Sequence, residues 1–184
     1  RPLTTTQFVP AGAVVGDVTP EMVEPWAFPE SDATRLVFVN GSYAPQLSET
    51  DGFGDEIRVG RLADVADEDR QAVSDVFGKP AEQFEEDYFS NLNAAGFRDG
   101  AYVIVPEDTA VEGVVQLLHI ATESSEPFVS HPRNLIAVGQ GSKVSIVEDY
   151  AGPTSGTYFN NAMTEVSVGE GATVEHIKVQ AEST

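Results

Sequence analysis

The sequence predicts a mainly β fold in which short parallel strands stack as the coils of a solenoid, with a small, partly helical region ahead of them. Two observations carry that prediction. The stretch LIAVGQGSKVSIVEDY, Leu135 to Tyr150, is followed by TEVSVGEGATVEHIKVQ, Thr164 to Gln180, with Val138, Gly139, Gly141 and Val144 falling on Val168, Gly169, Gly171 and Val174 at a constant offset of 30. Beyond Asp99-Gly100 the chain consists of short apolar runs separated by tight Gly, Pro or Ser turns. A repeat of this length is the signature of stacked units, each too small to bury its apolar face alone. A weaker third copy, VIVPEDTAVEGVV, aligns Val105 with Val138, Pro106 with Gly139 and Val111 with Val144 at an offset of 33.

The elements follow in chain order. Residues 1–34 carry Pro2, Pro10, Pro20, Pro25 and Pro29 among scattered valines, which reads as extended, turn-rich chain packed on the rest. Residues 35–99 open with RLVFVNGSYAPQLSE, an apolar run entering Asn40-Gly41, the dipeptide best suited to a tight hairpin. Asn40-Gly41-Ser42 is also formally a glycosylation sequon, but the turn accounts for it. Two short amphipathic helices follow. DEDRQAVSDVFGKP places Val73, Val76 and Phe77 on one face and ends at Gly78 and Pro80; AEQFEEDYFSNLNAAG places Phe84, Tyr88 and Leu92 at i, i+4 and i+8, a stripe expected to pack into the core. Residues 100–184 supply the first coils through AYVIV, VVQLLHIA, NLIAVG, KVSIVE, AMTEVSVG and TVEHIKVQ. Val138 over Val168 and Val144 over Val174 are the expected interior columns.

Composition narrows the function. The 184 residues suffice for one domain with a core, and the formal net charge of -20, from 30 acidic and 10 basic residues, repels a phosphate backbone and argues against nucleic-acid binding. Only three lysines, Lys79, Lys143 and Lys178, accompany that charge, a pattern compatible with a high-salt source as well as with an ordinary acidic protein. No run is long enough to cross a bilayer, so a soluble protein without membrane association is expected. The chain begins at Arg1, shows no secretory signal, and is expected to be a piece of a longer protein. Its lack of cysteine removes disulfides, thiolate ligands and cysteine nucleophiles.

The candidate chemistry is sparse. His119, His131 and His176 have no close metal-ligand spacing, although stacked coils can bring distant residues together. His119 lies between Leu118 and Ile120 and His131 precedes Pro132, so both are expected to be structural; His176 occupies the place of Ile146 one coil earlier. Glu148, Asp149 and Glu175 are candidate paired acids whose spacing fixes no orientation. GQGSK, at Gly139 to Lys143, lacks the spacing of a phosphate loop and the third glycine of a dinucleotide fingerprint, so a coil corner explains it. Arg133 is expected to form a salt bridge between coils. No catalytic, cofactor-binding or metal-binding residue is assigned.

Longer phrases point to a family. HPRNLIAVGQGSKVSIVEDYAG, YFNNAMTEVSVGEGATVEHIKVQAES and NLNAAGFRDGAYVIVPEDTAVEGVVQLLHIA resemble the SufB/SufD family of iron–sulfur cluster assembly proteins, and RLVFVNGSYAPQLS resembles its SufD branch in particular. The resemblance runs in order from Arg35 to Ser183. It implies a right-handed parallel β-helix-like superhelix behind a partly helical N-terminal region, and a non-catalytic, cytoplasmic scaffold role in the SufBCD complex beside a SufB-like scaffold subunit and a SufC-like ATPase. The family's further coils and C-terminal helical region, which make the SufB–SufD junction and the SufC contact, lie beyond the part matched, so no cluster or docking residue is carried over and no cofactor is expected in this chain. The missing cysteines favour the SufD side, and a coil cut off from its successor is expected to self-associate. The alternative is a left-handed β-helix zinc enzyme or acyltransferase, because VGEGATV resembles one hexapeptide coil; such folds need tandem hexads, whereas this phrase recurs once in about thirty residues.

Overall fold

The pairing of strands between residues 133–151 and 163–181 follows the thirty-residue repeat residue for residue. The computed structural model describes residues 5–12, 18–28, 34–78, 87–152 and 156–182. Twelve strands lie among them: β1 Val9–Pro10, β2 Thr34–Val39, β3 Ser42–Tyr43, β4 Arg58–Arg61, β5 Ala101–Val105, β6 Ala110–Ile120, β7 Phe128–Ser130, β8 Arg133–Val138, β9 Lys143–Ala151, β10 Tyr158–Asn160, β11 Met163–Val168 and β12 Thr173–Ala181. Three α-helices accompany them, α1 Pro20–Val23, α2 Arg70–Val76 and α3 Tyr88–Gly96. None is long and apolar enough to cross a membrane.

The strands form three sheets, in the orders β1-β7-β10, β11-β8-β5-β4 and β12-β9-β6-β2-β3. Every pairing is parallel except the β2–β3 hairpin and β4 against β5. The consecutive strands β7, β8 and β9 enter one sheet each, and β10, β11 and β12 repeat the circuit beside them. The expected pairings are present, Val138 with Val168, Val144 with Val174 and Val105 with Val138, but the column is interior only in part, since Val174 packs against the core whereas Val168 is 51% exposed. Ala110 pairs with Lys143 at the offset of 33, but a bulge before Val114 shortens it, so His119 pairs with Tyr150. Gly113, with φ 128°, supplies the backbone freedom the bulge requires.

The corners stack as the sequence alignment places them. Asp108, Gly141 and Gly171 occupy equivalent positions with φ of 54°, 69° and 71°. Gly139 and Gly169 are glycines because each turn presses on the one before: a Cβ at Gly139 would lie 2.6 Å from the Glu107 amide nitrogen, and one at Gly169 would lie 2.5 Å from that of Gln140. GQGSK is thus a turn between strands.

Alternation along the strands divides the apolar residues between two clusters. Leu36, Phe38, Val103, Val105, Val115, Leu117, Ile136, Val138, Val144 and Ile146 join the facing surfaces of the four-stranded and five-stranded sheets. Val37, Val39 and Leu118 face the other way and are covered by Val18, Val23, Ala44 and Leu47. Each fully buried side chain of this kind contributes about 1.5–3 kcal/mol.

Some expectations fail for local reasons. The proline-rich start includes helix α1, because Thr19 enters in an extended conformation and Pro20 and Glu21 suit a first helical turn. Strand β4 has a single apolar residue, Val59, and was not expected; Arg58, its first residue, is held by the Asp69 carboxylate ahead of α2. The stripe assigned to the second helix is not core: Tyr88 is 86% exposed and Leu92 is 44% exposed, while Phe84 lies outside the described residues. Asn93 is the fully buried residue of α3, its amide donating to the carbonyls of Pro132 at 2.9 Å and Asn161 at 2.8 Å. In the preceding helix Val76 is buried, Val73 is half-buried, and Phe77 is exposed at its edge but stacks its ring on Arg133.

Candidate functional site

The inward face of the five-stranded sheet changes character along its strands. On β9 the alternation that buries Val144 and Ile146 continues to Glu148 and Tyr150, both fully buried. On β6 the same face runs Val115, Leu117, His119. On β12 it reaches Val174 and then His176, the register partner of Ile146. Across from them Asn134 of β8 and Thr164 of β11 are register partners that open the inward rows of the four-stranded sheet. The apolar core thus ends in a polar layer.

Its members are tightly engaged. The His119 ring is stacked between Phe38, at 5.0 Å, and Tyr150, at 4.8 Å. Asn134 accepts the Ala101 amide through Oδ1, and its Nδ2 faces both His119 Nε2 at 3.4 Å and Thr164 Oγ1 at 3.3 Å. That arrangement makes Nε2 the acceptor and puts the His119 proton on Nδ1, a buried atom with no hydrogen-bond partner among the described residues. Glu148 accepts from the Tyr150 hydroxyl at 2.9 Å and pairs with His176 Nε2 at 2.9 Å. Lys178 Nζ lies 4.5 Å from the centre of the Tyr150 ring.

These contacts set the charges. Burial pushes Glu148 upward, but the hydrogen bonds from His176 and Thr164 and the charges of His119 and His176 outweigh it and hold the carboxyl at about 2. The same Glu148 hydrogen bond raises His176 against its partial burial. Burial lowers His119 to about 4, with Glu148 opposing the shift. Burial, reinforced by Glu148, keeps the Tyr150 phenol protonated. The layer therefore holds a carboxylate, a neutral imidazole and, in His176, an imidazole inclined to carry a proton at its half-exposed margin. It can store and hold a proton.

The remaining sequence candidates are dispersed. Asp149 points to the opposite side of the sheet from Glu148, where it accepts from Gln116. Glu175 accepts from Ser145 Oγ at 3.2 Å on the surface. His131 precedes β8 and takes a hydrogen bond from Asn161 at its Nδ1, 3.2 Å away. Arg133 forms the expected salt bridge, here between adjacent strands: it pairs with Glu165 of β11, its Nε donating at 2.8 Å, with both side chains no more than 2% exposed. The Phe77 ring lies 4.5 Å from its guanidinium, and the other Glu165 oxygen accepts from the Gly78 amide at 2.7 Å, so the pair fastens α2 to the sheet. No group of three His, Asp or Glu side chains among the described residues is close enough to hold a metal ion.

Sequence reasoning passed over Asn134, Tyr150 and Thr164. Counting inward positions back from Val138 through Ile136 reaches Asn134, and forward from Ile146 reaches Glu148 and Tyr150, so the alternation held the signal.

Comparison with known proteins places this geometry in a lineage. Residues 25–117 match the SufBD protein N-terminal region, and residues 119–184 match the SufBD core domain of the SUF system for FeS cluster assembly. An iron-sulfur cluster assembly SufBD family protein of Synechocystis sp. is 33% identical over 189 residues, covering 98% of this chain and 41% of that protein. The iron-sulfur cluster assembly protein SufD of Escherichia coli is 24% identical over 184 residues, covering 98% of this chain and 39% of that protein. A chloroplastic protein of Arabidopsis thaliana is 27% identical over 161 residues, 84% of this chain and 33% of its own length. The chain thus spans about two fifths or less of each of these relatives. With the two regions matched in order across nearly all of its described strands and helices, the chain belongs to the SufBD family.

Proposed function

We propose that the chain is the N-terminal part of a SufD-like, non-catalytic scaffold subunit of the SufBCD complex, acting in the cytoplasm in iron–sulfur cluster assembly with a SufB-like scaffold subunit and a SufC-like ATPase. The observation that carries this reading is the succession of the two family regions along one chain, 25–117 and then 119–184. The strand order supports a right-handed parallel β-helix-like superhelix, in which each circuit of about thirty residues adds one strand to each of three sheets.

In this reading iron and sulfide are cargo, and the chain offers a rigid surface rather than ligands. A nascent cluster is held mainly by thiolates, and the sequence has no cysteine and only two methionines. His176 is engaged by Glu148, and His119 is enclosed between two rings. A left-handed β-helix zinc enzyme or acyltransferase has less support, because His131 stands with Asn161 and not with the other two histidines.

Affinity capture with the full-length parent tests the assignment: SufB-like and SufC-like chains are expected to co-purify, and recovery of a metabolic enzyme in their place overturns it. Anaerobic reconstitution of the 184-residue chain with iron and sulfide, followed by desalting, tests the surface role. No visible chromophore is expected to remain, and a stoichiometric one would make a histidine a cluster ligand.

A further inference from the structure

A cleft of about 400 Å³ lies between the β2–β3 hairpin, the end of α3 and the turn from β7 to β8, away from the buried polar layer. In a chain with 30 acidic residues and a net charge of -20, its walls carry no carboxylate among the described residues. Four other surface clefts each carry at least one. Arg98 and His131 both line it.

Three unused donors line it, and two of them, Arg98 and Ser42, also border the adjoining cleft that holds Asp64 and Asp99. Arg98 is exposed and forms no ion pair or hydrogen bond among the described residues, unlike Arg35, Arg58, Arg61, Arg70 and Arg133, each of which pairs with a carboxylate. Its neighbour Asp99 does not neutralise it, because that carboxylate is 4% exposed and is taken up by Arg61, the Tyr43 amide and the Gly100 amide. His131 accepts at Nδ1 from Asn161, whose amide nitrogen also donates to the Phe89 carbonyl at 2.9 Å. The neutral ring therefore carries its proton on Nε2, and that N–H has no acceptor among the described residues. The Ser42 hydroxyl is likewise without a partner there. Burial lowers the His131 pKa, which keeps the ring neutral and its donor available near neutral pH.

The backbone is cut to keep the imidazole at the wall. A Cβ on Gly96 would lie 2.6 Å from His131 Cδ2 and 2.9 Å from Nε2, so only glycine lets the ring sit against the end of α3. Pro10, Phe97 and Val129 supply an apolar side to the same cleft. A planar guanidinium, an imidazole N–H and a hydroxyl are the donors that suit an oxyanion, and a space of this size exceeds what the oxyanion alone fills. We propose that this cleft binds a small organic molecule through a phosphate or carboxylate group held by Arg98, His131 and Ser42, with the apolar part of the molecule against Phe97 and Val129. The surrounding negative surface repels anions at long range, so the carboxylate-free walls select where one is retained.

Side-chain 1H–15N spectra of the histidines, recorded on the 184-residue chain, test the site. Inorganic phosphate, phenyl phosphate and benzoate are titrated separately at constant ionic strength. The His131 ring signals are expected to shift saturably with an organic probe while those of His119 and His176 stay in place. Phenyl phosphate binding more tightly than benzoate identifies the headgroup as phosphate, and the reverse order identifies it as carboxylate. Arg98→Gln, which removes no ion pair or hydrogen bond among the described residues, is expected to weaken binding at least about tenfold, as loss of a charge-assisted hydrogen bond does. Ser42→Ala should weaken it less. Absence of a saturable His131 shift with all three probes overturns the proposal, as does an Arg98→Gln protein that titrates like the parent.

Discussion

Val138 and Val168 face each other across the β8–β11 pairing, yet Val138 is 4% exposed and Val168 is 51% exposed. The two residues share a register and differ in what lies on their far side: β8 is flanked by β5 and β11, whereas β11 pairs with β8 alone among the described residues. Burial in this sheet is therefore conferred by the next strand. Val138→Ala is expected to cost about 2 kcal/mol, the price of an apolar cavity in a packed core. Val168→Ala is expected to stay within about 0.5 kcal/mol. Urea unfolding of both variants checks the contrast, and equal losses would mean that Val168 is covered in solution.

The Arg133–Glu165 pair gives a second expectation. Arg133→Met leaves a buried carboxylate without its cation and should destabilise by about 3–5 kcal/mol. Adding Glu165→Leu removes the orphaned charge and should recover most of that loss, short of about 1 kcal/mol for the hydrogen bond that Glu165 accepts from the Gly78 amide. A double variant no more stable than Arg133→Met would show that the ion pair itself, rather than the unpaired charge, sets the cost.

What could be read from the sequence was what repeats locally. The constant offset between Val138 and Val168, and between Val144 and Val174, is a register, so the parallel pairing followed directly. The Asn40-Gly41 hairpin was equally legible, since φ of 51° and 78° is what that dipeptide accommodates. The helical face of α3 was misread because hydrophobic periodicity weighs Tyr88 and Leu92 and is blind to Asn93, whose burial rests on two carbonyls from distant turns. Strand β4 was hidden for a related reason. Its Gly60 lies against the Tyr102 ring, where a Cβ would approach within 2.9 Å, a long-range fit with no local pattern. The stacking of His119 on Tyr150 depended on the bulge in β6, which shifts the register and which spacing alone does not reveal.

The buried layer predicts a pH dependence. His119 has a folded pKa lowered to about 4, so between the unfolded value near 6.5 and that figure the unfolded chain binds the extra proton. Its contribution to stability is complete above the unfolded pKa and falls as the pH drops through this window, by up to about 3 kcal/mol. Glu148, held at about 2, begins to lose its contribution only below its unfolded value of 4.5. His176 has the opposite sign: its raised pKa stabilises below 6.5 and that contribution fades as the pH rises. His119→Phe keeps a ring between Phe38 and Tyr150 and should flatten the stability profile between about pH 6.5 and 4.5. Parallel profiles for parent and variant in chemical denaturation would show that His119 is not buried as a neutral ring.

The last prediction concerns the open side of the five-stranded sheet. Strand β12 pairs with β9 alone and presents its other edge without a strand among the described residues. Ile177 is 45% exposed and Val179 is 40% exposed on it, so apolar side chains accompany a nine-residue row of backbone donors and acceptors. Such an edge is a template for another strand. The isolated chain is therefore expected to self-associate with rising concentration, despite a net charge of -20 that opposes close approach. Added salt screens that repulsion and should strengthen the association, whereas Ile177→Lys places a charge where a second edge would have to dock and should weaken it. Light scattering across a concentration series, at low and high KCl, reads both effects. A parent that remains monomeric in high salt, or an Ile177→Lys variant that associates as readily as the parent, would locate the adhesive surface elsewhere than β12.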